Sequence, residues 1–182
     1  MTGDDTTGDD TTGEDMTGAV CASLEALAAH VAALPADAYA ETTPELAGSS
    51  IGMHVRHCLD HYATLLQGLR TGRFDYDQRG RAVDVECDRE CAARWARSLR
   101  DDLGAILRDT DLTSAVDVRT ASTPNGQVDW QRSSVGRELQ FLVSHTVHHS
   151  AMVAASCRVR GLPVSADHGV APSTLRHRAA TS

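Results

Sequence analysis

The sequence predicts an all-α fold, a four-helix bundle with a short β-hairpin before the last helix. Three observations carry that expectation. Apolar residues recur at helical spacing in four separate stretches. Serine pairs, Ser49-Ser50 and Ser133-Ser134, stand where two of those stretches begin, as N-caps do. Between the third and fourth stretches the pattern changes to alternation, with Asn125-Gly126 as a hairpin-turn dipeptide.

Residues 1–18 repeat a TTGDD unit and offer nothing to bury, so a disordered acidic tail is expected there, with Met16 as an alternative start. The bundle is expected over 19–165. Its first helix runs from about Ala19 to Leu34 on Val20, Leu24, Leu27, Val31 and Leu34, and Pro35 ends it. The second opens after Ser49-Ser50 and runs to about Leu69 or Arg70 on Ile51, Val55, Cys58, Leu59, Tyr62, Leu65, Leu66 and Leu69. Thr71 to Val85 is polar and reads as a charged loop. The third helix follows from Cys87 to Leu107 through Cys91, Trp95, Leu99 and Leu103. Ala115–Arg119 and Gln127–Trp130 form the hairpin, and Arg137 to Arg158 the last helix. Residues 166–182 are expected to run extended over the surface.

The formal charge of -8 is misleading until it is located. Asp4, Asp5, Asp9, Asp10, Glu14 and Asp15 carry six of those charges, which leaves the rest of the chain near -2. No basic run or basic-plus-aromatic platform is present, so a nucleic-acid partner is not expected. The most apolar window, Leu139 to Val159, holds three histidines and an arginine, which predicts a core helix and no membrane span. With no export signal and five cysteines, an odd number, reduced thiols in the cytoplasm are expected. Cys87 and Cys91 lack a second pair at metal spacing, so no zinc site is assigned to them.

Chemistry concentrates in the histidines. The chain has nine, and six of them sit in two clusters, on the second and last helices. At about 100° per residue, Glu138, Phe141, Leu142, His145, His149, Met152 and Ser156 fall within roughly 60° of one line. His145 and His149 are thus expected inside the apolar face of the last helix. Burying two imidazoles one turn apart without partners costs several kcal/mol, and a shared divalent cation offsets that cost. The third ligand is expected from the second helix, where spacing leaves His54, His57 and His61 open. A three-His centre keeps a coordination position for water or substrate, the pattern of catalytic sites, and suits Zn, Ni or Fe(II). Glu138, two turns before His145, is a candidate acid/base, and His148 a substrate-facing candidate. Asp60 is a weaker site-lining candidate, beside His54 and His61.

Ser49 to Leu66, SSIGMHVRHCLDHYATLL, and Gly136 to Met152, GRELQFLVSHTVHHSAM, resemble the DinB/YfiT-like superfamily of metal-binding four-helix bundles. The family pattern has one His midway along the second helix and HxxxH on the last. The resemblance therefore implies His57, His145 and His149 as ligands of one divalent ion. Ser150-Ala151-Met152 stand where the family often has Arg-Gly-Gln. Members include bacillithiol-, mycothiol- and glutathione-linked transferases and isomerases, and ergothioneine-type sulfoxide synthases carry a similar iron-binding domain. Homodimers are frequent, and one is implied here.

The leading functional expectation is a metal-dependent transferase acting with a low-molecular-weight thiol bound at the three-His centre. A composition rich in Ala, Arg, Gly and Asp suits a high-GC bacterium, and so mycothiol. Three other classes fit the same residues. They are a hydrolase that activates water with Glu138 as base, a three-His iron centre handling oxygen, and a non-catalytic metal-binding stress protein. Arg79, Arg81 and Asp75 to Asp77 are candidate contacts for a polar substrate on the charged loop.

Overall fold

The computed structural model describes residues 10–78, 80, 82–119 and 129–181. Four long helices make the bundle: α1 (Asp10–Ala33), α3 (Ile51–Gly68), α5 (Arg89–Leu107) and α6 (Val135–Val159). α1 packs against α5 and α6, and α3 packs against the same two. α3 and α6 are therefore neighbours along their lengths, which is what brings the histidine clusters together.

α1 opens at Asp10, nine residues ahead of the expected start at Ala19. Met16 extends the apolar stripe by one turn and packs on the core, so the helix gains from continuing N-terminally. Residues 1–9 of the expected tail lie outside the described residues. The stripe Val20, Leu24, Leu27, Val31 and Leu34 is buried throughout. Met16–Ala33 is long and apolar enough to cross a membrane by length and composition alone. In the fold its apolar stripe packs on α5 and α6.

After Pro35 come a short α2 (Ala36–Ala40) and a two-residue pairing of β1 (Thr42–Thr43) with β2 (Ser49–Ser50). Ser50 caps α3, its hydroxyl accepting from Met53 N–H. Gly52 lets the first turn of α3 press on α4 (Val83–Cys87): a Cβ there would stand 1.9 Å from Glu86 O.

The stretch expected as a charged loop, Thr71 to Val85, holds two elements, α4 and a strand, β3 (Arg73–Asp75). Arg79 and Arg81 lie outside the described residues. The hairpin is present, as β4 (Ala115–Arg119) antiparallel to β5 (Gln131–Ser134). Of the expected second strand, Asp129 and Trp130 precede β5, and Gln127 and Val128, like the Asn125-Gly126 turn, lie outside the described residues. β3 pairs parallel with β4, so the hairpin becomes a three-stranded sheet. Phe74 and Tyr76 are carried inward by this pairing and both are buried. Cys87 ends α4 and Cys91 lies on α5.

Residues 166–182, expected to be extended, contain α7 (Pro172–Ala180), with Pro172 in its first turn, where a missing N–H costs nothing. α7 has no buried residue. Short apolar content hid this helix from a reading based on periodicity.

Candidate metal centre

α3 and α6 run antiparallel where they meet, as their contacts show. His54 meets His149, His57 meets His145, and His61 faces Phe141, with ring centroids 5.1, 4.9 and 6.4 Å apart. Each rung is about one helical turn from the next, so imidazoles at three- and four-residue spacing on both helices converge.

His145 and His149 do not lie within the buried line of α6, where spacing predicts them. That line centres on Leu139, Leu142, Thr146, Ser150, Val153 and Cys157, although Glu138 and Ser156, on the histidines' own side, are buried as well. The two histidines sit roughly 60–100° round the helix from it and are half-buried. Thr146 explains the offset: its hydroxyl donates to Leu142 O at 2.8 Å, so a polar residue faces the core without an unmet hydrogen bond. The larger imidazoles take the flank, where they look into the cleft towards α3.

His57, His145 and His149 form a group whose ligand atoms lie within 4.8 Å of one another. His57 Nε2 and His145 Nε2 are 3.0 Å apart. Two nitrogens held about 2.0–2.1 Å from one ion stand about 2.9 Å apart at a right angle and about 3.4 Å at the tetrahedral angle. The His149 ring lies 4.7 Å from that of His57 and 4.5 Å from that of His145. The donor set and spacing fit one divalent ion. Neutral imidazoles suit Zn, Ni or Fe(II), and three of them leave coordination positions for other ligands.

The remaining candidates surround this group. His61 is buried, and its Nδ1 donates to His57 O at 2.7 Å, which fixes the lone pair on Nε2. Its ring is 4.5 Å from those of both His57 and His145. His54 Nδ1 lies 2.9 Å from His149 Nδ1. His148 is exposed, its ring 5.2 Å from that of His149. Asp60 is buried and paired with Arg56 at 2.9 Å; Arg56 also binds Glu86 at 2.8 Å. Glu138 is buried too, and accepts from Ser133 Oγ at 2.6 Å and from Tyr76 Oη at 3.1 Å. Tyr76, one of these two donors, stacks its ring on His61 at 5.3 Å. Tyr76 and Phe141 are the site residues that sequence reasoning missed as such. The Phe74/Tyr76 alternation in a polar stretch is the signal that marks the first.

Burial and the neighbouring His145, His54 and His148 push the His149 imidazole down to about 4. Burial, then His148, lowers His54 as well. Burial and the Glu138 carboxylate raise the Tyr76 phenol well above its ordinary value. The group at His149 therefore stays neutral, as ligation requires. The sign for stability follows. A histidine at 6.5 when unfolded and about 4 when folded contributes fully above about 6.5 and loses that contribution as pH falls towards about 4. Urea titrations of metal-free protein are expected to show stability falling with acidification across that window. In His149→Gln the slope should be shallower; an unchanged slope would contradict the assignment.

A family model described as the DinB superfamily matches residues 22–153. The chain is also 33% identical over 106 residues to "FK506-binding protein 5" of Rhizopus delemar, a match covering 57% of this chain and 27% of that protein. The matched region thus spans about a quarter of that relative. No solved structure matches the chain. The family match takes in α3, most of α6 and the three-His group between them: the chain belongs to the DinB superfamily.

Proposed function

We propose that this protein is a metal-dependent transferase that acts with a low-molecular-weight thiol at the three-His centre. The observation that carries the reading is the donor set, three half-buried imidazoles on two facing helices. A divalent cation held there supplies Lewis acidity, which makes a bound thiol or water nucleophilic near neutral pH. His57, His145 and His149 hold the cation, and His61, tied to the His57 carbonyl, keeps the α3 side of the centre in place. Phe141 stacks beside His145 at 5.5 Å, and its ring lies 5.6 Å from that of Tyr76.

A cavity of about 560 Å³ lies between the sheet and the start of α6, lined by Arg132, Ser133, Arg137 and Glu138 among others. Glu138 is two turns, about 10 Å, along α6 from His145. That spacing suits a thiol whose sulfur lies at the centre and whose polar body extends to the cavity. Among small thiols, mycothiol is the one the composition favours.

The test is thiol-dependent turnover. Untagged protein loaded in turn with zinc, nickel or iron(II) is incubated with mycothiol and an electrophile, and the conjugate is followed by chromatography. Conjugate formation that needs both metal and thiol, and is absent in His145→Ala, is expected. Oxygen consumption by the iron form without conjugate would replace the transferase by oxygen chemistry, and no turnover with any metal would remove the enzymatic reading.

A further inference from the structure

His54 lies against His149, one of the three-His group, one turn before His57 on α3. The two Nδ1 atoms are 2.9 Å apart, and the rings are tilted by 45°. The other ring nitrogen of His54, Nε2, is buried and has no hydrogen-bond partner among the described residues. A neutral imidazole carries one N–H and one lone pair. Nδ1 of His149 is engaged with His54, so the atom it can offer a cation is Nε2. That lone pair is available only when the His149 proton sits on Nδ1. His54 Nδ1 must then accept, which places the proton of His54 on its Nε2. One contact thus sets the tautomers of both rings.

We propose that His54 is a positioning residue of the centre, the hydrogen-bond acceptor that holds His149 with Nδ1 protonated and Nε2 turned to the cation. The proposal rests on the reading that His57, His145 and His149 bind a metal. Its basis in the fold is register: His54 precedes His57 by three residues on α3, as His145 precedes His149 by four on α6. In the antiparallel pair, the residue one turn before a ligand therefore meets the next ligand. The partner's chemistry has a consequence. Ligating histidines commonly donate their second N–H to a carboxylate or a carbonyl. A neutral imidazole in that place adds no negative charge, so the full charge of a divalent ion acts on whatever fills its open position.

The experiment measures zinc affinity by competition with a chromophoric chelator in wild type, His54→Phe and His54→Asn. Phenylalanine keeps the ring's bulk and removes both nitrogens; asparagine places an amide oxygen near the position of Nδ1. Far-UV circular dichroism checks that each variant is folded. His54→Phe is expected to bind zinc about 10–100-fold more weakly, and His54→Asn to recover most of the loss. In zinc-loaded, 15N-labelled protein, the His149 Nδ1 proton should give a slowly exchanging signal in wild type that is absent in His54→Phe. Zinc affinity of His54→Phe within about twofold of wild type, with the His149 signal retained, would overturn the positioning role and leave the metal centre standing. A wild type that takes up no zinc overturns both.

Discussion

His145→Ala is expected to abolish the stabilisation that a bound metal gives this fold. A cation present at about a thousand times its dissociation constant stabilises the native state by about 4 kcal/mol. His145 supplies one of three ligands, and its Nε2 lies 3.0 Å from that of His57, at the heart of the group. The metal-free fold should change little, within about 1 kcal/mol, because the ring is half-buried on the flank of α6 and not in its core line. Chemical denaturation of both proteins, with zinc and with chelator, separates the effects. The wild-type midpoint should move with zinc and the variant's should not. An equal zinc-dependent shift in His145→Ala would mean that the cation sits elsewhere. The same comparison in His57→Ala reads the α3 side, where His61, with its ring 4.5 Å from that of His145, is the residue positioned to substitute.

Gly52→Ala is expected to cost about 3 kcal/mol, the upper part of the overpacking range. Its Cβ would stand 1.9 Å from Glu86 O and 3.0 Å from the Tyr39 ring. Neither neighbour can yield cheaply. Glu86 O is backbone, and Tyr39 is fully buried with its hydroxyl donating to Val85 O at 2.7 Å. Moving α4 would also pull Glu86 from Arg56, which lies next to His57 and pairs with Asp60. Gly18→Ala is the control: the glycine is exposed on α1 with nothing within 4 Å of an added Cβ. There the change should stabilise by about 0.5–1 kcal/mol through helix propensity. Thermal melts of both variants test this, and a neutral Gly52→Ala would refute the close packing of α3 on α4.

The long helices were legible because their signals are local. Ser50 and Ser134 cap through their own hydroxyls, accepting from Met53 and Arg137 N–H. The apolar spacing of α1 and most of that of α3 matches what is buried, while in α5 Leu99, Leu103 and Leu107 are buried and Cys91 and Trp95 only half-buried. The phase of α6 was legible only in part: Glu138, Leu142 and Ser156 of the expected line are buried, while its histidines are half-buried. Thr146 and Ser150 fall outside the expected line, yet both are buried, and the Thr146 hydroxyl is satisfied within its own helix. β3 was not legible, since three residues in a polar stretch become a strand only by pairing with β4, more than forty positions along the chain. At the site, HxxxH shows that His145 and His149 share one side of a helix. Which α3 histidine joins them depends on how far α3 slides along α6, a tertiary matter that spacing within α3 does not contain. The bond from Tyr76 to Glu138 joins residues 62 apart in sequence and has no local signature.

Elemental analysis of untagged protein, purified without chelator and again after reconstitution with zinc, nickel and iron(II), tests the central claim most directly. A three-His centre predicts about one equivalent of divalent metal per chain, absent from His145→Ala and from His57→Ala. Wild-type protein that is folded, carries no metal and takes up none on reconstitution would contradict it.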